Sequence, residues 1–293
     1  VTHPAIKAVG FTGSRPGGRA LMDAAAARPE PIPVYAEMSS INPVVMLPGV
    51  LGEKATALAE GFFQSLTMGV GQFCTNPGLV FLPEGSEQAF LSALENHIKN
   101  AAPGVMLNAG ICQAYRDATA ATARHQGVTQ FASDVSANQG QGSPMFFVCS
   151  AQTLLQSPAL THEMFGPASL IVIGSNDEII AAAKTLEGQL TASIFGTDAD
   201  FSQATELLEI LERKVGRLIF NGYPTGVEVC NTMVHGGPYP STSDGRSTSV
   251  GTMAVFRFTR AVAWQNCPQA LLPDELKDRN PLKVPQMING KRS

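Results

Sequence analysis

The stretch from Ile6 to Ala27, IKAVGFTGSRPGGRALMDAAAA, decides the fold class. Residues 6–12 are apolar and rich in β-forming types and predict a strand, 13–18 predict a loop, and 19–27 predict an Ala/Leu helix. A strand, a glycine loop and a helix open a crossover unit, in which the next strand lies parallel to the first. The apolar run Val34 to Glu37 predicts that second strand.

The same alternation continues along the chain. Strands are predicted at 44–47, 79–82, 145–149, 170–173, 191–195 and 218–221. Helices are predicted at 53–70, 111–124, 178–186 and 201–215, with a further one capped by Ser86. Residues 224–251, rich in Gly, Pro, Ser and Thr, predict a long structured loop. We therefore expect an α/β protein with a mainly parallel sheet.

Composition describes a globular protein and narrows its partners. Of the 293 residues, 44% are hydrophobic and 15% charged, which allows a large buried core. A net charge of -4 and the lack of a Lys/Arg run argue against nucleic acid and acidic membrane surfaces. No apolar run reaches the roughly 20 residues of a membrane span. Five cysteines with no Cys-x-x-Cys pair indicate free thiols, so we expect a cytoplasmic protein.

Cys74 is the candidate nucleophile. It lies in GQFCTNPG, residues 71–78, after a predicted helix and among small and turn-forming residues that let a substrate approach the thiol. A buried structural cysteine explains the same context equally well, because free cysteines are among the most buried residues.

Glu37 is the candidate general base. It ends a short apolar strand, where partial desolvation is expected to raise the pKa of a carboxyl group toward neutrality. A strand-end glutamate in an ordinary ion pair is the competing interpretation.

Two further segments are candidates for binding a nucleotide. The loop at 13–18, with Gly13 and Ser14, lies between a strand and a helix, where backbone N–H groups meet a phosphate. It lacks the Gly-x-Gly-x-x-Gly fingerprint, so an ordinary turn is the alternative. Glu163 and Phe165, in HEMFGP at 162–167, precede an apolar strand, which suits ligand contacts or a loop with one packed ring.

Other chemistries have little support. The five histidines, at 3, 97, 125, 162 and 235, form no His-x-x-x-His or His-x-His pair, so we expect no metal site. No Gly-x-Ser-x-Gly motif is present, which disfavours a serine hydrolase.

Taken together, these segments resemble the aldehyde dehydrogenase superfamily in the same order over essentially the whole chain. Four motifs carry the resemblance: AVGFTGS at 8–14, EMSSINP at 37–43, GQFC at 71–74 and EMFGP at 163–167. NG at 221–222 and HGGP at 235–238 resemble the family's C-terminal loops.

The resemblance implies an aldehyde dehydrogenase-like three-layer α/β catalytic domain with a remnant of a Rossmann-like nucleotide domain. It assigns 1–43 to the nucleotide domain, 44–240 to the catalytic thiol domain, and 241–293 to a segment that returns to the nucleotide domain and an oligomer interface. Because the family is built on homodimers that often pair into tetramers, we expect a homo-oligomer. Family members are much longer, so we also expect an N-terminal half upstream and little turnover by these residues alone.

The resemblance also implies a reaction. Cys74 would add to an aldehyde, the thiohemiacetal oxyanion would be held by the Cys74 backbone N–H and a second donor, and hydride would pass to NAD or NADP. Glu37 would then activate the water that hydrolyses the thioester. Glu163 would hold the nicotinamide ribose and Phe165 would pack beside it. The pyrophosphate path would be lined by Gly13 and Ser14.

Departures from the common pattern indicate a branch. Ser39-Ser40-Ile41 and Leu79 stand where the family often has Gly-Gly-Lys and Arg. With segments 224–229, 235–240 and 268–273, they resemble the branch that oxidises α-ketoglutaric semialdehyde (2,5-dioxopentanoate) to 2-oxoglutarate. Arg246 is a candidate partner for the substrate carboxylate, or a surface arginine. Two alternatives stay open: an acylating aldehyde dehydrogenase and a catalytically incomplete fragment that acts as a scaffold.

Overall fold

The first crossover unit forms in the computed structural model, which describes residues 1–292. Its strand begins at Val9 rather than Ile6, and its helix begins at Arg15, inside the segment predicted as a loop, because Ser14 and Pro16 start the helix there. Strands β1 (Val9–Thr12) and β2 (Val34–Glu37) pair in parallel, and α1 (Arg15–Ala26) connects them. Ser14 caps α1 by accepting a hydrogen bond from the Gly17 N–H, and the proline in the first turn has a φ already suited to a helix. These two strands form a sheet of their own.

A second, seven-stranded sheet forms the centre of the catalytic region. The seven strands of this sheet are β3 (Val44–Met46), β4 (Leu79–Pro83), β6 (Thr129–Ala132), β8 (Met145–Ser150), β9 (Ala168–Gly174), β10 (Gln189–Phe195) and β11 (Val215–Phe220). Two further short strands, β5 (Gly104–Val105) and β7 (Gln141–Gly142), pair with each other outside this sheet. The spatial order is β11-β10-β3-β4-β9-β8-β6, and every pairing is parallel except that of β6 with β8.

Helices cover both faces of this sheet. One face packs on α2 (Pro48–Thr67) and α3 (Gln88–Lys99) through Val44, Met46 and their neighbours. The other face packs, through Val45 and its neighbours, mainly on α4 (Ala109–Ala123), α5 (Ala151–Gln156), α6 (Asn176–Thr185) and α8 (Thr205–Lys214), and α7 (Asp198–Gln203) precedes α8. Because alternate strand residues point to opposite faces, the sheet separates two cores. The predicted three-layer α/β fold is confirmed.

Several predicted boundaries differ from the structure. The helix predicted at 201–215 is two helices: α7 starts at the capping box of Thr197 and ends at Gln203, and α8 follows from Thr205 to Lys214. Ser86 does not cap a helix, since α3 begins two residues later and its N-cap, Glu87, makes no side-chain cap. The helix predicted at 53–70 begins earlier, at Pro48, and its last residues turn into a 3-10 helix at Met68–Gly71.

The described chain divides into two compact units, Val1–Arg257 and the residues from Phe258 onward. The second unit contains a 3-10 turn at Asp274–Leu276 and a hairpin of β12 (Met287–Ile288) and β13 (Lys291–Arg292). The domain boundaries predicted at residues 43 and 240 stay predictions. No helix within residues 1–292 combines the length and apolar character needed to cross a bilayer.

Candidate active site

The candidate site lies between the two sheets. Glu37 is the last residue of β2, Cys74 precedes β4, and Glu163 precedes β9. The site therefore joins the carboxyl edge of the β1-β2 sheet to the amino edge of the seven-stranded sheet. Open parallel sheets usually bind ligands at the carboxyl edge. Glu163 and Phe165, which the sequence analysis proposed as ligand contacts because they precede an apolar strand, therefore lie at the opposite edge from the usual one.

A left-handed turn brings the chain from α2 to Cys74. Gly69, Val70 and Gly71 all have positive φ, between 56° and 64°. Val70 is β-branched, so its left-handed backbone is strained and must be held by its surroundings. A Cβ on Gly71 would lie 2.3 Å from the carbonyl carbon of Gly166, which excludes any larger residue there.

The loop that carries Cys74 is fixed by Asn42. The buried side-chain amide of Asn42 donates to the carbonyl oxygens of Cys74 and Asn76, each at 2.9 Å. The Cys74 backbone N–H has no hydrogen-bond acceptor among residues 1–292. That N–H is therefore available to a substrate oxygen.

The thiol, an imidazole and a carboxylate form a contiguous cluster. Cys74 Sγ lies 3.3 Å from His235 Nε2, which lies 3.2 Å from Glu37 Oε1. The Ser249 hydroxyl donates to Glu37 Oε2 at 2.6 Å. Glu37 and His235 are buried, whereas Cys74 is partly exposed, so the thiol is the member of the cluster that solvent can reach.

Hydrogen bonding sets the charges of this cluster. Burial raises the pKa of Glu37, but hydrogen bonds from His235 and Ser249 outweigh it, so the pKa lies below its ordinary value. Burial lowers the pKa of His235, but the contacts with Cys74 and Glu37 outweigh it and raise that pKa to about 9. The prediction of a raised pKa at Glu37 is wrong, because its hydrogen-bond donors come from residues 235 and 249. At neutral pH the carboxylate is ionised and the imidazole is protonated.

The predicted cofactor residues lie in and beside one cleft. Ser14, Ser40 and Glu163 line this cleft, which has a volume of about 420 Å³, beside the start of α1. Burial raises the pKa of Glu163 to about 7 despite hydrogen bonds from Ser39 and Ser40. Phe165 lines a small adjoining pocket together with Glu163. Gly13 is at the turn after β1, where its N–H donates to the carbonyl of Glu37.

Three residues of the site were not identified from the sequence as functional. His235 was noted only as part of a loop motif, and Ser249 and Arg217 were not singled out. The pairs Cys74–His235 and Glu37–His235 are separated by 161 and 198 residues, so no local spacing could have joined them.

Arg217 and Arg246 differ in burial: Arg217 is partly buried near the thiol, whereas Arg246 is exposed at the surface. Arg217 donates from Nη2 to the carbonyls of Pro224 and Gly226, and its Nε is buried without an acceptor in the described part of the chain. Burial lowers its pKa, and the charge of Cys74 raises it, so the guanidinium lies within electrostatic range of the thiol. Arg246 is 94% exposed and pairs with Asp244, which agrees with the surface-arginine alternative.

A mainly parallel α/β sheet with a thiol, an imidazole and a carboxylate clustered at one edge is typical of enzymes that form a covalent intermediate on cysteine. The chain belongs to the aldehyde dehydrogenase family, whose sequence model matches residues 1–261. It is 50% identical over 294 residues to alpha-ketoglutaric semialdehyde dehydrogenase 2 of Azospirillum brasilense, covering 99% of this chain and 56% of that protein. It is 47% identical over 295 residues to alpha-ketoglutaric semialdehyde dehydrogenase of Acinetobacter baylyi, with the same coverage. The chain thus spans about half the length of these relatives.

Solved structures show the same fold. A 1-pyrroline-5-carboxylate dehydrogenase superposes with a TM-score of 0.72 at 18% identity, covering 87% of this chain and 50% of that one. An aldehyde dehydrogenase from Bacillus cereus superposes with a TM-score of 0.71 at 20% identity, covering 88% and 52%. A further neighbour, from Thermus, was solved with bound NAD.

Proposed function

We propose that the protein oxidises an aldehyde to a carboxylic acid with NAD or NADP, and that the aldehyde is α-ketoglutaric semialdehyde. The observation that carries the proposal is the contact of the Cys74 thiol with the buried His235 and Glu37 pair, beside the cleft lined by Glu163. The printed names of the two relatives at 50% and 47% identity support the substrate.

The residues of the cleft fit a nicotinamide dinucleotide. Its carboxylate, Glu163, is an acceptor for the paired hydroxyls of a ribose. The positive end of the α1 dipole suits a phosphate, although the N–H groups of Gly13 and Gly17 are already hydrogen-bonded within the chain. Phe165 presents an aromatic ring in the adjoining pocket. We assign Glu163 and Phe165 to the nicotinamide end, and Gly13 and Ser14 to the phosphates. When bound, NAD or NADP supplies the acceptor for a hydride.

Cys74 is proposed as the nucleophile. His235 Nε2 lies 3.3 Å from Sγ and holds the sulfur beside the site where it attacks the carbonyl carbon. As the C–S bond forms, the negative charge moves to the carbonyl oxygen, and we assign the Cys74 N–H, which has no acceptor in residues 1–292, to hold it. His235 is thus a positioning residue for the thiol.

Glu37 is proposed as the base for hydrolysis. Its carboxylate is already ionised at neutral pH, so it can accept a proton from a water molecule that attacks the acyl carbon on Cys74. An ionised carboxylate next to the thiol favours water over a thiol or phosphate as the acyl acceptor. The acylating alternative predicts, instead, an acyl product that accumulates on an added thiol or phosphate.

Arg217 is proposed to contact the substrate carboxylate in place of Arg246. Its buried Nε has an unused N–H, and its charge lies within range of Cys74. A buried donor without an acceptor is costly, and a substrate carboxylate supplies the missing acceptor.

We also infer a homo-oligomer in the cytoplasm. The C-terminal unit exposes large apolar side chains, among them Val262, Trp264 and Leu271, which suits contact with another chain. All five cysteines are free, which suits a reducing compartment.

The test uses a full-length protein that contains these residues and compares α-ketoglutaric semialdehyde with 5-oxopentanoate and pentanal. 5-Oxopentanoate lacks only the 2-oxo group, and pentanal, of the same chain length, lacks the carboxylate as well. We expect formation of reduced cofactor to depend on Cys74, and kcat/KM to favour the semialdehyde. Arg217→Met should raise KM for the semialdehyde roughly tenfold or more and leave pentanal unchanged, with Arg217→Lys intermediate. Equal use of the semialdehyde and either other aldehyde would overturn the substrate, and full turnover by Cys74→Ser would overturn the chemistry.

A further inference from the structure

The cluster that holds the thiol also has the composition of a metal site. Cys74 Sγ, His235 Nε2 and Glu37 Oε1 all lie within 4.8 Å of one another, although they come from three distant parts of the sequence. Sulfur, imidazole nitrogen and carboxylate oxygen together form a donor set that suits Zn²⁺ and related thiophilic cations rather than Mg²⁺ or Ca²⁺. A thiolate and a carboxylate also neutralise the two charges of such a cation.

Two of the three distances between donors are close to those of a tetrahedral site. Ordinary zinc bond lengths place sulfur and nitrogen about 3.6 Å apart, and nitrogen and oxygen about 3.4 Å apart. The observed separations are 3.3 Å for Cys74 and His235 and 3.2 Å for His235 and Glu37. The Cys74 sulfur and the Glu37 oxygen lie within 4.8 Å of each other, so a modest closing of the cluster would admit a cation. The cation replaces the two hydrogen bonds at Nε2, and the Nε2 proton is released to solvent.

The surroundings explain why such a cation would bind reversibly. The Ser249 hydroxyl orients Glu37 through its other oxygen, as in the outer shell of many metal sites. His235 Nδ1, however, is buried without a hydrogen-bond partner in residues 1–292, so the ring lacks the support that firmly held metal ligands have. The nearby guanidinium of Arg257 adds positive charge on the Glu37 side.

We propose that Cys74, His235 and Glu37 form a binding site for a thiophilic divalent cation such as Zn²⁺, and that the bound cation reversibly blocks the thiol. Three protein ligands leave a fourth position for water. With its sulfur coordinated, Cys74 cannot react with an aldehyde or any other electrophile.

Co²⁺ is the direct probe, because a thiolate bound to Co²⁺ gives a charge-transfer absorption band. Titration of the purified protein should give one such site, and added Zn²⁺ should abolish the band. Cys74→Ser should remove the band, while Cys230→Ser, at a partly exposed cysteine outside the cluster, should leave it unchanged. A band that persists in Cys74→Ser, or no band in the unmodified protein, would overturn the proposal.

A variant that keeps all three ligands guards against loss of the fold. Ser249→Ala removes the hydroxyl that contacts both the Glu37 carboxylate and the His235 carbonyl, and it should weaken Co²⁺ binding roughly tenfold or more. In parallel, Zn²⁺ should slow alkylation of Cys74 by iodoacetamide and leave Cys230 unaffected. Equal alkylation of Cys74 with and without Zn²⁺ would contradict the block. Neither measurement uses aldehyde or cofactor, so their failure is distinct from failure of the proposed oxidation.

Discussion

Replacing Glu37 by Gln tests how a buried carboxylate sets the charge of His235. Burial lowers the pKa of His235, and its contacts with Cys74 and Glu37 raise it from 6.5 to about 9. That difference corresponds to roughly 3 kcal/mol of preference for the imidazolium in the folded state. Because Gln keeps the shape but not the charge, Glu37→Gln should lower this pKa by about one unit or more, or roughly 1.4 kcal/mol.

The same change should alter stability in a defined pH window. Since the folded pKa of His235 lies above its ordinary value, its contribution is fully present below pH 6.5 and is lost as the pH rises through about 9. Urea unfolding followed by circular dichroism at both ends of this window measures the loss. We expect a smaller loss in Glu37→Gln than in the unmodified protein. Glu212→Gln, on an exposed face of α8, is the control and should keep the full loss. Identical pH dependence in all three proteins would refute the reasoning.

Two further predictions concern the cleft and the turn before the thiol. Burial raises the pKa of Glu163 from 4.5 to about 7, so the free energy of unfolding should fall by up to roughly 3 kcal/mol as the pH rises between these values. Glu163→Gln should remove that fall, as measured by urea unfolding at the two pH values. Gly71→Ala should destabilise the fold by about 2 kcal/mol or more, because its φ is positive and the added Cβ meets Gly166. Gly52→Ala, in α2 with no atom within 4 Å of the new Cβ, is the control and should stabilise the fold by about 0.5 to 1 kcal/mol. Thermal unfolding of both variants measures the two changes.

The fold class was predictable because the buried strands carry their own signal. Strand β2 occurs where predicted, and β4 differs by one residue, since both are apolar runs bounded by turns. Strand β6, TQFA, was missed because it is a short, mostly exposed edge strand that exists only through its pairing with β8. The split between α7 and α8 was missed because an apolar stripe continues across Ala204.

The site was predictable only in part. The motif pattern pointed to Cys74 and Glu37, which the structure brings together at His235, and to Glu163, which lines a cleft beside the start of α1. The roles of these residues stay predictions. The contact of His235 with both groups depends on the long loop after β11, whose path no periodicity encodes. For the same reason, spacing between histidines could not reveal a mixed Cys, His and Glu cluster.

The most direct test of the central claim, that Cys74 is a nucleophile activated by His235, is the rate of iodoacetamide alkylation at each cysteine, mapped by mass spectrometry. Cys112 and Cys149 are buried, and burial raises the pKa of Cys149 to about 12. We predict that Cys74 reacts at least about tenfold faster than these two and that His235→Ala slows it, while the rate at Cys230 is unchanged. Labelling of Cys74 no faster than of Cys149, or a rate indifferent to His235→Ala, would contradict the account.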